Sequence, residues 1–356
     1  MKNNYIIDTK ILKEENYVNH KSKKIPGIIF TRAFCCIGIV IFHYFCHSKG
    51  NFKILFLTAN SSFGFMFVTS FFSISGSVIF YNYPIVKSIK KFYYKRWKSI
   101  LLPYYICYIY FFLKKTFFYN KLFYKGNWLK ILITLIGLDG YLSDKTKTYY
   151  LVGEWFLGAI IIIYILYPLL LFRLSKTNII INNIIICFFY FLMYKNIFNF
   201  SISRNIITCI ASFYFGMEAI RYKEIYLINK KTFVISFLIF IFLYKIKIKI
   251  NFNIIIFQIQ GFSLFIILYQ IGQYVMQTNL NKIFVEINKL SFSIYLFHHQ
   301  IISDILSLHN PKQWYADLSI LSITIILTII ISKIHLLVVN SFFQSYIIKK
   351  LDLLFF

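Results

Sequence analysis

Acidic residues are scarce in this chain: 12 Asp and Glu stand against 39 Lys and Arg. Charged residues of both signs fill only 14% of the 356 positions, while 59% are hydrophobic. No soluble globular domain needs so much apolar surface, which excludes that class at once. Also missing are internal repeats, Gly/Ser linkers and any soluble extension, so one membrane domain is expected. The six cysteines (35, 36, 46, 107, 187 and 209) make no CxxC pair and no zinc spacing. That excludes a disulfide framework, and they read as small apolar residues in or beside apolar runs. A cleaved signal peptide is not expected, because the polar, lysine-bearing first 24 residues lead into a run that looks too long and uncleavable for one. The net charge of +27 could suggest nucleic acid. The lysines, however, fall between apolar runs, where they retain loops in the cytoplasm and touch anionic membrane lipid. No nucleic-acid partner is expected.

What is there is a series of apolar runs near the ~20 residues that span a bilayer. The chain reads as an all-α, polytopic integral membrane protein of about ten transmembrane helices. The expected spans are 28–47, 61–82, 99–113, 154–173, 178–195, 204–221, 232–246, 252–276, 290–308 and 317–340. The segment 129–142 is short and interrupted by Gly137, Asp139 and Gly140, so it reads as re-entrant or interfacial. Ten spans place the amino terminus, the 87–98 loop, the cluster Arg221/Lys223/Lys230/Lys231 and Lys349/Lys350 on one side. By the positive-inside rule that side is the cytoplasm of the plasma (inner) membrane. The lysines of 114–152 run against the rule. The expected organisation is a cytoplasmic tail over 1–25, a membrane domain over 26–345 and a short cytoplasmic tail over 346–356, with both termini cytoplasmic.

Arg32 and His43 share the first span. Eleven residues at about 100° each make close to three turns, so both side chains lie on one face, roughly 16 Å apart along the axis. Ionisable groups inside a membrane span usually face a protein interior or a water-filled cavity. The plain alternative is an Arg that snorkels to the headgroups from the helix start and a His bonded to a neighbour. His43 and His47 also have a metal-compatible i,i+4 spacing, but no clear third ligand accompanies them, and no metal is expected. The loop 87–98 is basic. Its Arg96 offers a planar fork for phosphate oxygens, with Lys95 and Lys98 as point charges, although topology and lipid contact alone could explain the lysines. Glu154 opens the fourth span beside Trp155. An acid in a first helical turn is ordinary, since it complements the helix dipole. In Leu290–Gln300, the adjacent His298 and His299 point to different faces, so at most one is expected to share a cavity with His43. Tyr295 and His299 share a face. Glu218 is expected to pair with Arg221, three residues on.

These segments, in this order, resemble the type 3 family of bacterial membrane acyltransferases. Arg32 with His43 is the most specific part. Ser61-Ser62-Phe63-Gly64 through Ser75-Gly76 is similar to the family's second helix. Tyr94-Lys95-Arg96-Trp97-Lys98 with Pro103-Tyr104 is similar to its basic motif. Trp155-Phe156-Leu157 with Tyr167-Pro168, and Leu290-Ser291 with Tyr295-Leu296-Phe297-His298, resemble its central and late helices. Two positions depart from the family pattern: Ser99 stands where a second Arg is usual, and Ile160 and Ile161 stand where many members carry acids.

The resemblance implies an O-acyltransferase, transferring groups other than amino-acyl groups. It implies acetyl-CoA (or another acyl-CoA) as co-substrate and a hydroxyl of a cell-surface saccharide or lipid-linked glycan as acceptor. His43 would act at the reaction centre and Arg32 would support the site or the cofactor, with Tyr295, His298 and Glu154 as further supporting candidates. Arg96, Lys95 and Lys98 would hold the phosphates of coenzyme A. An ordinary imidazole titrates near neutrality, which suits a general base. The rival from another class is a transporter or flippase for a lipid-linked or anionic solute. The absence of repeated halves and paired broken helices speaks against it.

Overall fold

A computed structural model describes residues 25–48, 62–120, 127–146, 149, 152, 155–195, 204–249, 254–309 and 313–355. Among these residues there is no β-strand, and the elements are helices throughout. Ten of them match the ten expected spans: α1 (Pro26–His47), α2 (Ser62–Asn82), α3 (Ile89–Tyr119), α6 (Trp155–Ser175), α7 (Ile179–Tyr194), α8 (Ile206–Arg221), α10 (Lys230–Lys249), α11 (Ile254–Val275), α12 (Asn281–Leu308) and α13 (Trp314–Gln344). Five (α1, α2, α6, α11 and α13) are individually long and apolar enough to cross a membrane. The other five fall short for two visible reasons. α7 and α8 have only 16 residues each, while α3 and α10 carry lysines and α12 carries His298, His299, Gln300 and Asp304 in its apolar stretch. The expected amino-terminal tail, 1–25, lies outside the described residues except for Ile25.

The segment 129–142 is broken into pieces: a 3-10 turn over Trp128–Lys130, α4 (Ile131–Leu135) and α5 (Asp139–Leu142). Five residues rise only about 8 Å, far less than a bilayer. Gly137 breaks the run with φ +72°, a left-handed conformation that a side chain resists. Asp139 is buried but satisfied, accepting from Tyr104 Oη at 3.2 Å and from the Gly140 N–H at 2.9 Å.

Small residues draw the helices together. α2 and α8 meet where a Cβ on Gly216 would lie 1.9 Å from the Ser73 carbonyl oxygen, and one on Gly76 would lie 2.0 Å from that of Phe213. Two hydroxyls stitch the contact, Ser73 Oγ to the Ser212 carbonyl at 3.1 Å and Ser77 Oγ to that of Gly216 at 2.8 Å. With lipid as apolar as any side chain, such close packing and interhelical hydrogen bonds replace the hydrophobic drive. α1 packs against α2, α11 and α12. α13 turns a buried stripe of Thr324, Thr328, Ser332 and His335 inward, and exposes Ile323, Ile326, Ile330 and Ile334. His335 binds across three helices, with Nε2 3.0 Å from the Pro103 carbonyl of α3 and Nδ1 2.8 Å from Ser293 Oγ of α12.

Two short helices complete the set, α9 (Lys223–Tyr226) and α14 (Tyr346–Phe355). The segment expected as a short tail is thus helical, and α14 packs on α3.

Candidate active site

α1 presents two chemically different poles. Towards its end, His43 meets α12. Its ring centroid lies 4.1 Å from that of His299 and 5.3 Å from that of His298, and those two rings are 4.7 Å apart. Both adjacent histidines therefore reach His43, against the expectation that at most one would. They sit roughly 100° apart on α12, and α1 packs closely enough against α12 for His43 to reach both. His299, set outside the expected supporting set, is the nearer. His298 is fully buried, and its Nδ1 lies 2.8 Å from the Tyr295 carbonyl and 3.1 Å from that of Ile294. A carbonyl only accepts, so Nδ1 carries the proton and Nε2 carries the lone pair of the neutral ring. His47, exposed one turn beyond His43, has its ring 5.9 Å from His299.

Tyr295 lies beside this pole, 6.2 Å ring to ring from His298. Its hydroxyl accepts the Leu157 N–H at 3.1 Å. Leu157 is in the first turn of α6, whose leading N–H groups have no partner within the helix, so Tyr295 serves as a cap. Tyr44, next to His43, donates to Asp317 Oδ1 at 2.8 Å, and Ser48 donates to the same oxygen at 2.6 Å, tying the end of α1 to α13.

Nearer the start of α1, Arg32 forms the second pole with Arg96 of α3. Tyr164 of α6 lies within electrostatic range of both guanidinium groups, and its hydroxyl also interacts with Ser75 of α2. Arg96 is held among aromatic faces, 5.1 Å from the Tyr83 ring centroid, 5.9 Å from Phe92 and 6.0 Å from Tyr164. It donates to Tyr83 Oη at 3.3 Å, while its Nε is buried without a hydrogen-bond partner among the described residues. No carboxylate of the described residues is ion-paired with Arg32 or Arg96. Two uncompensated guanidiniums with an unused buried donor make a site suited to an anion.

The remaining candidates part company. Lys95 lies beside Arg96, 5.8 Å above the Tyr83 ring. Lys98 is ion-paired with Asp352 of α14 at 2.7 Å, and Tyr94 donates to the same carboxylate at 2.9 Å. The Lys98 ammonium holds Asp352 below the usual carboxylate range, while burial, then Asp352, pushes the Tyr94 phenol up to about 12. Tyr94, Lys95, Lys98, Asp352 and Leu353 line an open cavity of about 410 Å³. Ser99 faces outward, its hydroxyl bonded to the Arg96 carbonyl. Glu154 lies outside the described residues. Glu218 does not pair with Arg221. It accepts from Tyr226 Oη at 3.0 Å, and Arg221 donates to the Leu174 carbonyl.

A family profile described as an acyltransferase domain, the type 3 family of membrane O-acyltransferases, matches residues 25–334. The chain belongs to the type 3 acyltransferase family. No curated protein and no solved structure shows a significant match. The type 3 acyltransferase domain thus holds both poles, while α14 and its Asp352 latch lie beyond the matched residues. Sequence reasoning passed over Tyr164 of the arginine pole, and Ser75 entered it only within the stretch that resembles the family's second helix. A tyrosine among 29 carries no signal, and only the crossing of four helices marks this one.

Proposed function

We propose that this membrane acyltransferase moves an acyl group, acetyl as the reference case, from acyl-CoA to a hydroxyl of a cell-surface saccharide or lipid-linked glycan. The observation that carries the reading is the separation of the two poles on one helix. Arg32 and Arg96 suit the phosphates of coenzyme A, and His43 suits proton transfer. Arg32 and His43 are about 16 Å apart along the axis at 1.5 Å per residue. A pantetheine arm of about 13 bonds extends roughly 15 Å at ~3.5 Å per three bonds, so phosphates at one pole bring the thioester to the other. On this reading the arginine pole opens to the cytosol, where acyl-CoA is made, and both termini are cytoplasmic.

His43 accepts the proton of the acceptor hydroxyl as its oxygen attacks the thioester carbonyl. The tetrahedral intermediate carries its charge on the former carbonyl oxygen, and Tyr295, 6.2 Å ring to ring from His298, is the residue assigned to stabilising it. Collapse expels the coenzyme A thiolate, which takes the proton back from His43. The acyl ester leaves on the acceptor, and the imidazole returns to its neutral form.

The test is acetate released by mild base from purified surface polysaccharide. Cells would express the intact protein, His43→Ala at equal membrane abundance, or neither. Acetate only with the intact protein is the expected result. Equal acetate in all three overturns saccharide acetylation for that polymer.

A further inference from the structure

Three imidazoles in one place, from two helices, are more than a single general base requires. One ring nitrogen from each of His43, His298 and His299 lies within 4.8 Å of the others. We propose that these three side chains form a binding site for one borderline divalent cation, with Zn²⁺ as the reference ion. His47 stands over its outer side.

The donor set argues the chemistry. All three ligands are neutral nitrogens and no carboxylate belongs to the group, which selects zinc, copper or nickel over magnesium and calcium. Zn–N bonds of ~2.0–2.1 Å in tetrahedral geometry set nitrogens roughly 3.4 Å apart. The ligand nitrogens need to close by up to about 1.4 Å, within the reach of side-chain rotation. His298 is already oriented as a ligand. Its Nδ1–H is given to backbone carbonyls, the outer-shell bond that fixes the tautomer of metal-bound histidines, and Nε2 is presented to the cluster. Three protein ligands leave the fourth position to water. The exposed ring of His47, 5.9 Å from His299, gives an ion a first stop at the outer surface of the helix end.

The consequence rests on the reading of His43 as base. A metal-bound imidazole has no lone pair to offer, so the occupied site is an inhibited state that a chelator reverses.

The experiment uses the full chain in detergent, stripped with chelator and titrated with Zn²⁺ alone against a competing zinc indicator. One equivalent per chain is expected, with a rise in unfolding temperature. Binding should weaken at least tenfold in His299→Gln, whose half-buried ring can be replaced with less risk to folding than His298. His47→Ala should lower the rate of zinc uptake more than its affinity. Absence of stoichiometric binding, or equal binding in His299→Gln, overturns the site and leaves the proposed acyl transfer untouched. In parallel, zinc should suppress acetate incorporation and chelator should restore it. Stoichiometric binding without inhibition would keep the metal site and sink the assignment of His43 as base.

Discussion

His43 and Arg32 were legible as a pair because helical periodicity is rigid: eleven residues return to the same face whatever the surrounding packing. The partners of each were not legible. His298 and His299 point to different faces of α12, so at most one was expected near His43, yet the close packing of α1 on α12 brings both to it, with His299 the nearer. Lys98 looked equivalent to Lys95 in the basic loop, yet a carboxylate 254 positions away claims it. Two outcomes follow at this scale. His43→Ala should lower transfer by about 10²–10⁴-fold, the usual worth of a positioned general base, while the variant purifies as a folded membrane protein. Arg96→Lys should raise KM for acyl-CoA several-fold with a smaller change in kcat, because an ammonium keeps the charge but loses the planar fork and the aromatic stacking around Tyr83. Steady-state kinetics against acyl-CoA would read both, and an unchanged KM in Arg96→Lys would remove this residue from the phosphate site.

All ten expected spans are helices here, since apolar runs of that length leave the backbone no other way to satisfy its hydrogen bonds in lipid. Their ends were less legible. α3 begins at Ile89, ten residues before its expected start, because hydropathy stops at the basic stretch while the hydrogen-bonded backbone continues. Ser88 caps that early start, its side chain accepting the Lys91 N–H at 3.3 Å. The α2–α8 contact predicts that Gly216→Ala destabilises the fold strongly. The added methyl meets backbone, which cannot rotate aside, and overpacking of this kind costs about 1–3 kcal/mol or more. A lowered unfolding temperature in detergent would show it. α14 offers a pH prediction. Asp352 has a depressed pKa, so its ion pair with Lys98 contributes stability above the ordinary carboxylate range. That contribution fades as pH falls through the lowered value. Hydrogen exchange over 346–355 should therefore stay slow at neutral and mildly acidic pH and accelerate only in stronger acid. Asp352→Asn should give fast exchange at every pH and, with Lys98 released beside the phosphate pole, a lower KM for acyl-CoA.

For the whole molecule, the membrane class was written in composition, and the order of packing was not. Helices distant in sequence form the site: α1 with α12 at one pole, and α1, α2, α3 and α6 at the other. Which way the bundle sits in the membrane rests on the asymmetry of its lysines. Cys46 tests it, being exposed at the histidine end of α1. A membrane-impermeant maleimide added to intact cells should label Cys46 in a variant keeping it as the sole cysteine. Labelling only after the cells are opened would invert the bundle and place both poles on the wrong sides for the proposed reaction.

The eleven-residue step from Arg32 to His43 also makes α1 a ruler. A donor gripped by its charged head at one mark delivers its reactive end to the other only if its tail has the matching length. Thioesters carrying the same acyl group on a short, unphosphorylated thiol should be turned over poorly at any concentration, and a donor shortened between phosphate and sulfur should bind yet fail to react. The selectivity of such a catalyst lies less in the acyl group than in the distance over which it is carried.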